Sequence, residues 1–319
     1  MPPRNFPYPS HSKKSLPYLV FIIFFAIFIF KVDIVILQYA IRSRVRSTSS
    51  QTIVTGNGTF HRHFVATWGI NHVQILEDGE LLTLSLDNVS GSGFESKKEF
   101  LFGKIDMRIK LVPGNAAGTV STYYLISEGE QPDKIDIEFM GNSTGNPYTL
   151  HTNIFVHGKG EREQQFFLWF DPTLDFHTYS ILWNPKCIIL YVDGVPIREF
   201  KNLEGLGVPF PTRPMRLYSS LWNAEDWATQ GGNVKTDWNL APFVTSYSNF
   251  SADACIWSHQ TRRSSCNPSD FSSKTWLNME LDGRSRARME RTRKGYMIYD
   301  FCRDKWRFLN GTGPECQIN

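Results

Sequence analysis

The sequence has 319 residues, of which 41% are hydrophobic, 14% aromatic and 20% charged. This length suits one large all-β domain of about 200 to 250 residues with short appendages, and it argues against a second full-sized domain. The 34 basic and 31 acidic residues nearly balance, which argues against nucleic acid as the partner. Nine Trp and twelve Tyr residues suit a carbohydrate ligand, because sugar rings stack on aromatic rings, although aromatic residues also fill sandwich cores.

An apolar segment near the N-terminus predicts a membrane or export signal. Residues 1–15 form a tail, and residues 16–41 are predominantly apolar apart from Lys31 and Asp33. The segment is long enough to cross a bilayer, which takes about 20 residues, if Lys31 and Asp33 pair or reach the interface. The segment lacks a convincing small-x-small cleavage site, so an uncleaved signal-anchor is favoured over a removed signal peptide.

The pattern then changes to that of a linker followed by a β-sandwich. Residues 42–60 are polar and rich in Ser and Thr, and short β-type runs recur about every ten residues through 61–246. The sequence Val192-Asp193-Gly194-Val195 is a strong hairpin signal. The predicted strands include Leu81–Leu86, Gly103–Leu111, Thr119–Ile126, Ile135–Met140, Tyr148–Val156, Gln165–Phe170, Tyr179–Trp183 and Ile188–Val192.

Residues 247–319 differ in composition from the sandwich. They are rich in arginine and contain four of the five cysteines. The sequence pattern predicts one helix in this part of the chain, Ser273–Arg288. Such an extension is too small for a core of its own. We expect it to pack on the sandwich, stapled by disulfides.

The cysteines and the glycosylation sequons indicate an oxidising, lumenal compartment. Cys255 lies near Cys266, and Cys302 lies near Cys316, so two short-loop disulfides are expected. Cys187, alone in an apolar run, is expected to be a buried free thiol. Asn-x-Ser/Thr sequons occur at Asn57, Asn88, Asn142, Asn249 and Asn310.

The segment from Asp133 to Gly141 carries a row of charged side chains. Its polar and apolar residues alternate, so on a β-strand Lys134, Asp136 and Glu138 share one face. The apolar residues between them face the other way, into a core. A polar row of this kind is most often a solvent-exposed face of a strand. The spacing alone does not distinguish such a face from a functional site.

The same segment resembles the active-site strand of the plant xyloglucan endotransglucosylase/hydrolases of glycoside hydrolase family sixteen, where it reads D-E-I-D-F-E-F-L-G. Further similar stretches follow in family order, so the resemblance covers about Thr67 to Cys316. It implies a concanavalin-like jelly-roll β-sandwich with a short C-terminal extension. The similar stretches are Ser90–Lys97, Leu111–Val120, Asp171–Thr173, Asp226–Gly232 and Tyr296–Cys302, followed by Cys316.

The resemblance implies that Glu138 is the acid/base and Asp136 the helper, whereas Lys134 occupies the position of the nucleophile. A retaining glycosidase needs two carboxyl groups about 5 to 5.5 Å apart, and an ammonium group cannot attack the anomeric carbon. Lys134 is also expected to lower the pKa of Glu138, which must hold a proton to act as acid. Asp133 could replace the nucleophile only if a β-bulge turned it to the same face of the strand. An inverting reaction with water would need a general base, and no residue is an obvious candidate.

The resemblance also implies a set of sugar-binding residues and a glycosylation site at Asn142. His151 departs from the family, which has glutamine there. Without the resemblance, Arg162 between two glutamates suits a surface ion-pair cluster equally well. The implied substrate-binding residues are His151, Thr152, Asn153, Glu161, Arg162, Glu163, Asp226, Trp227, Gly231 and Arg307.

No cofactor or metal is expected, because His157, His177 and His259 show no metal-ligand spacing. The basic run from Arg284 to Lys294 is expected to be a solvated face, with contact to pectic acid groups as a lesser alternative. By resemblance the partners are xyloglucan donor and acceptor chains, the protein is a monomer, and the sandwich lies outside the cell, in the cell wall or apoplast.

Two functions remain open at this stage. One is a transglucosylase that cuts and rejoins the β-1,4-glucan backbone of xyloglucan with retention. The other is a catalytically impaired homologue that binds xyloglucan, because Lys134 replaces the nucleophile.

If residues 16–41 are an uncleaved anchor, the full-length protein will sediment with membranes and resist carbonate extraction, since a spanning apolar segment is held by the bilayer. The measurement is fractionation followed by N-terminal sequencing. Recovery of a soluble mature form that begins between Arg42 and Thr59 would show instead that the signal is removed.

Overall fold

The computed structural model describes residues 59–267, 273–309 and 311–317. The predicted tail, the predicted membrane segment and nearly all of the predicted linker lie outside these residues, as do the sequons at Asn57 and Asn310. Within the described ranges, no helix combines the length and the apolar character needed to cross a bilayer.

The described chain is almost entirely β-structure, as the sequence predicts. The strands are β1 (Phe64–Trp68), β2 (Val73–Leu76), β3 (Leu81–Leu86), β4 (Ser92–Lys110), β5 (Thr119–Ser127), β6 (Lys134–Met140), β7 (Thr149–Phe155), β8 (Gln164–Phe167), β9 (His177–Trp183), β10 (Cys187–Val192), β11 (Val195–Lys201), β12 (Met215–Asn223), β13 (Phe243–Ser258), β14 (Arg263–Ser264) and β15 (Met297–Asp300). The α-helices are α1 (Thr59–His63) and α2 (Gly283–Tyr296). Short 3-10 helices cover Ile70–His72, Glu77–Gly79, Glu204–Leu206, Thr229–Gly232, Trp238–Leu240, Thr275–Asn278, Phe301–Arg303 and Pro314–Cys316.

The strands form a sheet that folds over on itself. Its main order is β11-β10-β9-β4-β12-β5-β6-β7-β8-β15, and the long strands β4 and β13 each pair with several neighbours. Strands β6 and β9 are well separated in this order. Nevertheless Phe139 of β6 packs on Tyr179 of β9, with ring centroids 4.6 Å apart. Face-to-face contact between distant strands of one sheet is the arrangement of a jelly-roll β-sandwich, which confirms the predicted fold class.

The core between the two layers fixes which side of β6 faces outward. Ile135, Ile137 and Phe139 are at most 1% exposed. Burying a side chain of this size contributes about 1.5 to 3 kcal/mol, and a slip of one residue would place all three in solvent. The charged residues between them are therefore held on the opposite side.

Most of the predicted strands are present, with shifted ends. The predicted strand Leu81–Leu86 coincides with β3, whereas β4 begins at Ser92 rather than at Gly103. The β10–β11 turn is the predicted hairpin, since Asp193 and Gly194 both have positive φ, 48° and 69°.

The predicted helix bounds, Ser273–Arg288, are wrong. Helix α2 begins at Gly283 because the carboxylate of Asp282 caps it, accepting a hydrogen bond from the Ser285 amide at 2.7 Å. Upstream, Trp276 and Leu277 are buried in a short 3-10 helix. Their contacts with the sandwich override the local helical preference.

The C-terminal extension packs on the sandwich through a second apolar cluster that includes Leu182, Cys187, Ile189, Trp276 and Met289. Strand β13 crosses the predicted boundary between residues 246 and 247, so the two parts share a strand. The structure contains the disulfides Cys255–Cys266 and Cys302–Cys316, and the Cys187 thiol is free and buried.

Shortening Ile137 tests the role of the core under β6. We expect Ile137→Ala to lower the free energy of unfolding by about 2 to 5 kcal/mol and Ile137→Val by about 0.5 to 1.5 kcal/mol, because each leaves a cavity between the layers. Urea denaturation measures both. Leu174→Ala is the control, since Leu174 is 75% exposed and its loss should change stability by less than about 0.5 kcal/mol. Equal effects at the two positions would contradict the assignment of the core face.

Candidate active site

Strand β6 lies between β5 and β7, and its pairing with both shows no register shift from Lys134 to Met140. On β7, Phe155 lies opposite Lys134, Asn153 opposite Asp136 and His151 opposite Glu138. Directly paired residues share a face of the sheet. We call the surface that carries these side chains the cleft face.

Asp133 is not on the cleft face. It is fully buried, and its carboxylate accepts hydrogen bonds from the backbone amides of His157, Thr212 and Arg213 at 2.9, 3.1 and 3.3 Å. Three amide donors hold this carboxylate on the far side of the strand. Asp133 therefore does not reach the cleft face in this structure.

Lys134 forms a close ion pair with the residue beside it on the cleft face. Its Nζ lies 2.6 Å from Oδ2 of Asp136, and the two side chains are 18% and 4% exposed. The ammonium group also lies over two aromatic rings, 4.2 Å from the centroid of Tyr124 and 5.7 Å from that of Phe155. Tyr124 stacks in turn on Tyr218, with centroids 5.6 Å apart.

Burial dominates the acid–base properties of the site. It raises the pKa of Asp136 to about 6, against the opposing effect of Lys134. Burial also raises the pKa of Glu138, and the attraction of Lys134 for the ionised form is the smaller influence. As predicted, the charge of Lys134 acts to lower the pKa of Glu138. The prediction is wrong for the net shift, because burial raises this pKa by more than Lys134 lowers it. Burial lowers the pKa of His151, which favours the neutral imidazole.

Several expected sugar-binding residues form a connected network beside β6. The Nδ2 group of Asn153 donates to Oε1 of Glu163 at 3.3 Å. Glu163 receives two hydrogen bonds from the guanidinium of Arg307, at 2.7 and 3.1 Å. His151 Nδ1 lies 3.1 Å from Nε2 of Gln165. The C-terminal extension thus contributes Arg307 to the edge of the cleft face.

Other expected sugar-binding residues point elsewhere. Thr152 is fully buried, and its hydroxyl accepts a hydrogen bond from Arg198 at 2.8 Å. Arg162 turns inward and donates from Nε to Glu315 at 2.9 Å, so it ties the extension to the sandwich. Glu161 is exposed, in the segment that precedes β8, with φ of 62°. The structure does not bring Thr152 or Arg162 into the cleft.

The loop from Asp226 to Gly232 is fixed beside the C-terminal end of β6. The Thr229 hydroxyl donates to the carbonyl of Gly141 at 2.8 Å and accepts from the Gly118 amide at 2.7 Å. Trp227 packs near Trp222, with centroids 5.9 Å apart, whereas Asp226 is 81% exposed and Gly231 has φ of 67°. The loop places the indole ring of Trp227 beside that of Trp222 on β12, at one end of the cleft face.

Sequence reasoning missed the neighbours that complete this face. They lie on strands other than β6, and only the pairing register reveals them. Because Tyr218 pairs with Tyr124 and Tyr124 with Asp136, a strand alignment is the signal that could have found them. The missed residues are Tyr124, Phe155, Gln165, Tyr218 and Trp222.

Within the described residues, one group could offer metal ligands: Glu99, Glu128 and His259, whose ligand atoms lie within 4.8 Å of one another. Arg216 lies 3.3 Å from Glu99 and 4.0 Å from Glu128, and His259 lies 2.6 Å from Glu99. The guanidinium already balances the carboxylates. We interpret this group as an ion-pair network.

Removing the Lys134 charge tests the ion pair through pH. The pKa of Asp136 is about 6 in the folded protein, above its usual 3.8, so the contribution of this group to stability falls as pH rises from about 4 to 6. In Lys134→Met the pKa of Asp136 is expected to rise further, because the neighbouring cation is gone. The stability of the variant therefore continues to fall above pH 6. We expect stability close to that of the natural protein near pH 4 and a loss of about 3 kcal/mol near pH 8, where an unpaired carboxylate remains buried.

The measurement is urea denaturation of both proteins across this pH range. Lys305→Met is the matched control, because Lys305 is exposed and lies on the C-terminal extension rather than on β6. A loss in Lys134→Met that does not change with pH would contradict the ion-pair explanation.

Comparison with known families agrees with this geometry. The family described as glycosyl hydrolases family 16 matches residues 60–240, and the one described as the xyloglucan endo-transglycosylase (XET) C-terminus matches residues 271–316. Among solved structures, a β-glucanase from Bacillus licheniformis matches with a TM-score of 0.50 and 22% identity, over 61% of this chain and 94% of its own. That likeness supports the fold.

Similarity to curated plant proteins is much higher. Xyloglucan endotransglucosylase protein 8 of Diospyros kaki is 58% identical over 272 residues, which is 85% of this chain and 93% of that protein. Xyloglucan endotransglucosylase/hydrolase protein 22 of Arabidopsis thaliana is 58% identical over 264 residues, 82% of this chain and 92% of that protein. The chain therefore belongs to the xyloglucan endotransglucosylase/hydrolase family, within glycosyl hydrolases family 16.

Proposed function

We propose that this protein binds xyloglucan on its cleft face but transfers or hydrolyses it far more slowly than a relative with glutamate at position 134. The observation that carries this proposal is the 2.6 Å ion pair between Lys134 Nζ and Asp136 Oδ2. The relatives are named for xyloglucan, which supports the choice of ligand.

The chemical argument concerns the first half of a retaining reaction. A carboxylate must attack the anomeric carbon while a carboxylic acid protonates the leaving oxygen. Glu138 suits the acid role, because burial raises its pKa. At position 134 the nucleophile would be an ammonium group, which has no free electron pair while it is protonated. Asp136, which we assign as the helper, is neutralised by the same group.

Binding depends on other contacts. The rings of Tyr124, Tyr218, Trp222 and Trp227 lie along the cleft, and stacking of sugar faces on such rings does not require a nucleophile. The paired Glu163 and Arg307 offer polar groups at the edge. The ion pair leaves little net charge beneath a neutral polysaccharide.

The second candidate function is ordinary retaining transglucosylation, in which the backbone is cut and rejoined. Identity of 58% with plant enzymes over most of the chain favours it. It would require a nucleophile other than Lys134, and Asp133 is held away by three backbone amides.

We further propose that the catalytic sandwich comprises residues 61–246 and the extension residues 247–319, and that both lie outside the cell. Two disulfides and the sequon at Asn142 support an oxidising, glycosylating compartment. The expected ligands there are xyloglucan donor and acceptor chains.

Restoring the carboxylate is the direct test of the impaired-enzyme proposal. We expect Lys134→Glu to raise transfer to labelled xyloglucan oligosaccharide by several orders of magnitude and to leave xyloglucan affinity nearly unchanged. Removing a nucleophile in a well-studied protease costs on the order of 10⁶ in turnover, or about 8 kcal/mol of barrier. The measurements are transfer rate and dissociation constant for the two proteins under the same conditions.

Lys134→Gln is the matched control, because it removes the cation without supplying a nucleophile and should stay inactive. Two results would contradict the proposal. One is a natural protein as active as its relatives. The other is a folded Lys134→Glu protein that binds xyloglucan but does not transfer it; in that case His151, beside Glu138, is the first position to revert to glutamine.

A further inference from the structure

A second polar groove lies on the outer face of the other layer, away from the cleft face. On β4, Ile105 and Met107 face the core, so Lys104, Asp106 and Arg108 face outward. Together with Thr178 and Ser180 of β9 and Asn249 of β13 they line a groove of about 460 Å³. No part of the proposed reaction uses it.

Asn249 reaches this groove because β13 has a bulge. The register between β13 and β4 shifts between Ser248 and Ser251, and Asn249 has φ of 50°. The bulge lets Phe250 pack inward on Phe64, with ring centroids 4.7 Å apart, and leaves Asn249 exposed. Asparagine tolerates this left-handed conformation better than most residues.

The groove presents hydrogen-bonding groups rather than an apolar surface. Asp106 lies 3.6 Å from Lys104 through Oδ2, and its Oδ1 atom is buried without a hydrogen-bond partner among the described residues. Thr178 and Ser180 add two hydroxyl groups. The Asp106 side chain is 23% exposed, and together with the neighbouring cations and hydroxyl groups it can accept and donate hydrogen bonds, so a ligand rich in hydroxyl and amide groups suits this site.

Asn249-Phe250-Ser251 is also an N-glycosylation sequon. We propose that Asn249 carries an N-linked glycan whose first N-acetylglucosamine units lie in this groove. The donor is a lipid-linked oligosaccharide of the secretory pathway. The Asn249 amide nitrogen bonds to C1 of the first sugar, the C1–oxygen bond breaks, the lipid pyrophosphate leaves with the electron pair, and the amide proton passes to the transferase.

The other sequons in the described residues differ in setting. Asn88 lies on an exposed turn and does not line this groove. Asn142 uses its Nδ2 group to donate to the Pro147 carbonyl at 3.1 Å. Asn249 is the described sequon whose side chain opens directly onto the polar groove.

Site occupancy is the first test. The full chain is produced in a eukaryotic secretory host, and its peptides are deglycosylated enzymatically in ¹⁸O water, which marks each formerly glycosylated asparagine. We expect the mark at Asn249 in the natural protein and in Ser251→Thr, which keeps the sequon, and its absence in Ser251→Ala. An unmarked Asn249 in the natural protein overturns the proposal.

Docking of the glycan is the second test, made on the folded glycoprotein with glycans left in high-mannose form. An endoglycosidase that cuts between the two core N-acetylglucosamines should release the Asn249 glycan about tenfold more slowly from folded than from denatured protein, since two hydrogen bonds or more must break. Thr178→Val with Asp106→Ala should remove most of this protection without changing occupancy. Equal release from folded and denatured protein overturns the docking.

Discussion

The buried carboxylate of Asp136 is the constraint around which the active-site strand is arranged. Its side chain is 4% exposed and lies on a central strand, and burial, against the opposing effect of Lys134, raises its pKa to about 6. Such a group needs either a proton or a cation beside it. Lys134 supplies the cation two residues away, at the position where the resemblance to the family implies a carboxylate. An ammonium group at this position supplies an opposite charge beside Asp136 where a carboxylate would be a like charge, which explains how the fold accommodates a lysine there.

Two arginine ion pairs connect the C-terminal extension to the sandwich, and they have different roles. Arg162 of the sandwich reaches Glu315 of the extension, and Arg307 of the extension reaches Glu163 beside the cleft. Both contacts are close and at most one-fifth exposed, so they are screened less than surface pairs. The first holds the extension in place, and the second places a guanidinium at the cleft edge. The disulfide between Cys302 and Cys316 links the segments that carry Arg307 and Glu315.

The sequence predicted the local features of the fold and site, but not the features that depend on contacts between distant residues. Alternation along a single strand is a local property, so it placed Lys134, Asp136 and Glu138 on one face. Cross-strand neighbours such as Tyr124 depend on register, which local pattern does not contain. The inward turn of Arg162 depends on an acceptor 153 positions away in the chain. Helix α2 starts late because contacts of Trp276 and Leu277 with the sandwich, also non-local, decide the backbone before Asp282.

In the function that we propose, binding and chemistry are separable because they depend on different strands. The aromatic rings that line the cleft come from β5, β7, β12 and the loop fixed by Thr229. Strand pairing and packing hold these rings, and neither requires a carboxylate at position 134. The chemistry needs two carboxyl groups on β6 itself, one ionised and one protonated. Burial raises the pKa of Glu138, which favours its protonated form, whereas position 134 holds an ammonium group paired with Asp136. In the function that we propose, turnover is therefore lost through one side chain while the surface for a neutral polysaccharide is kept.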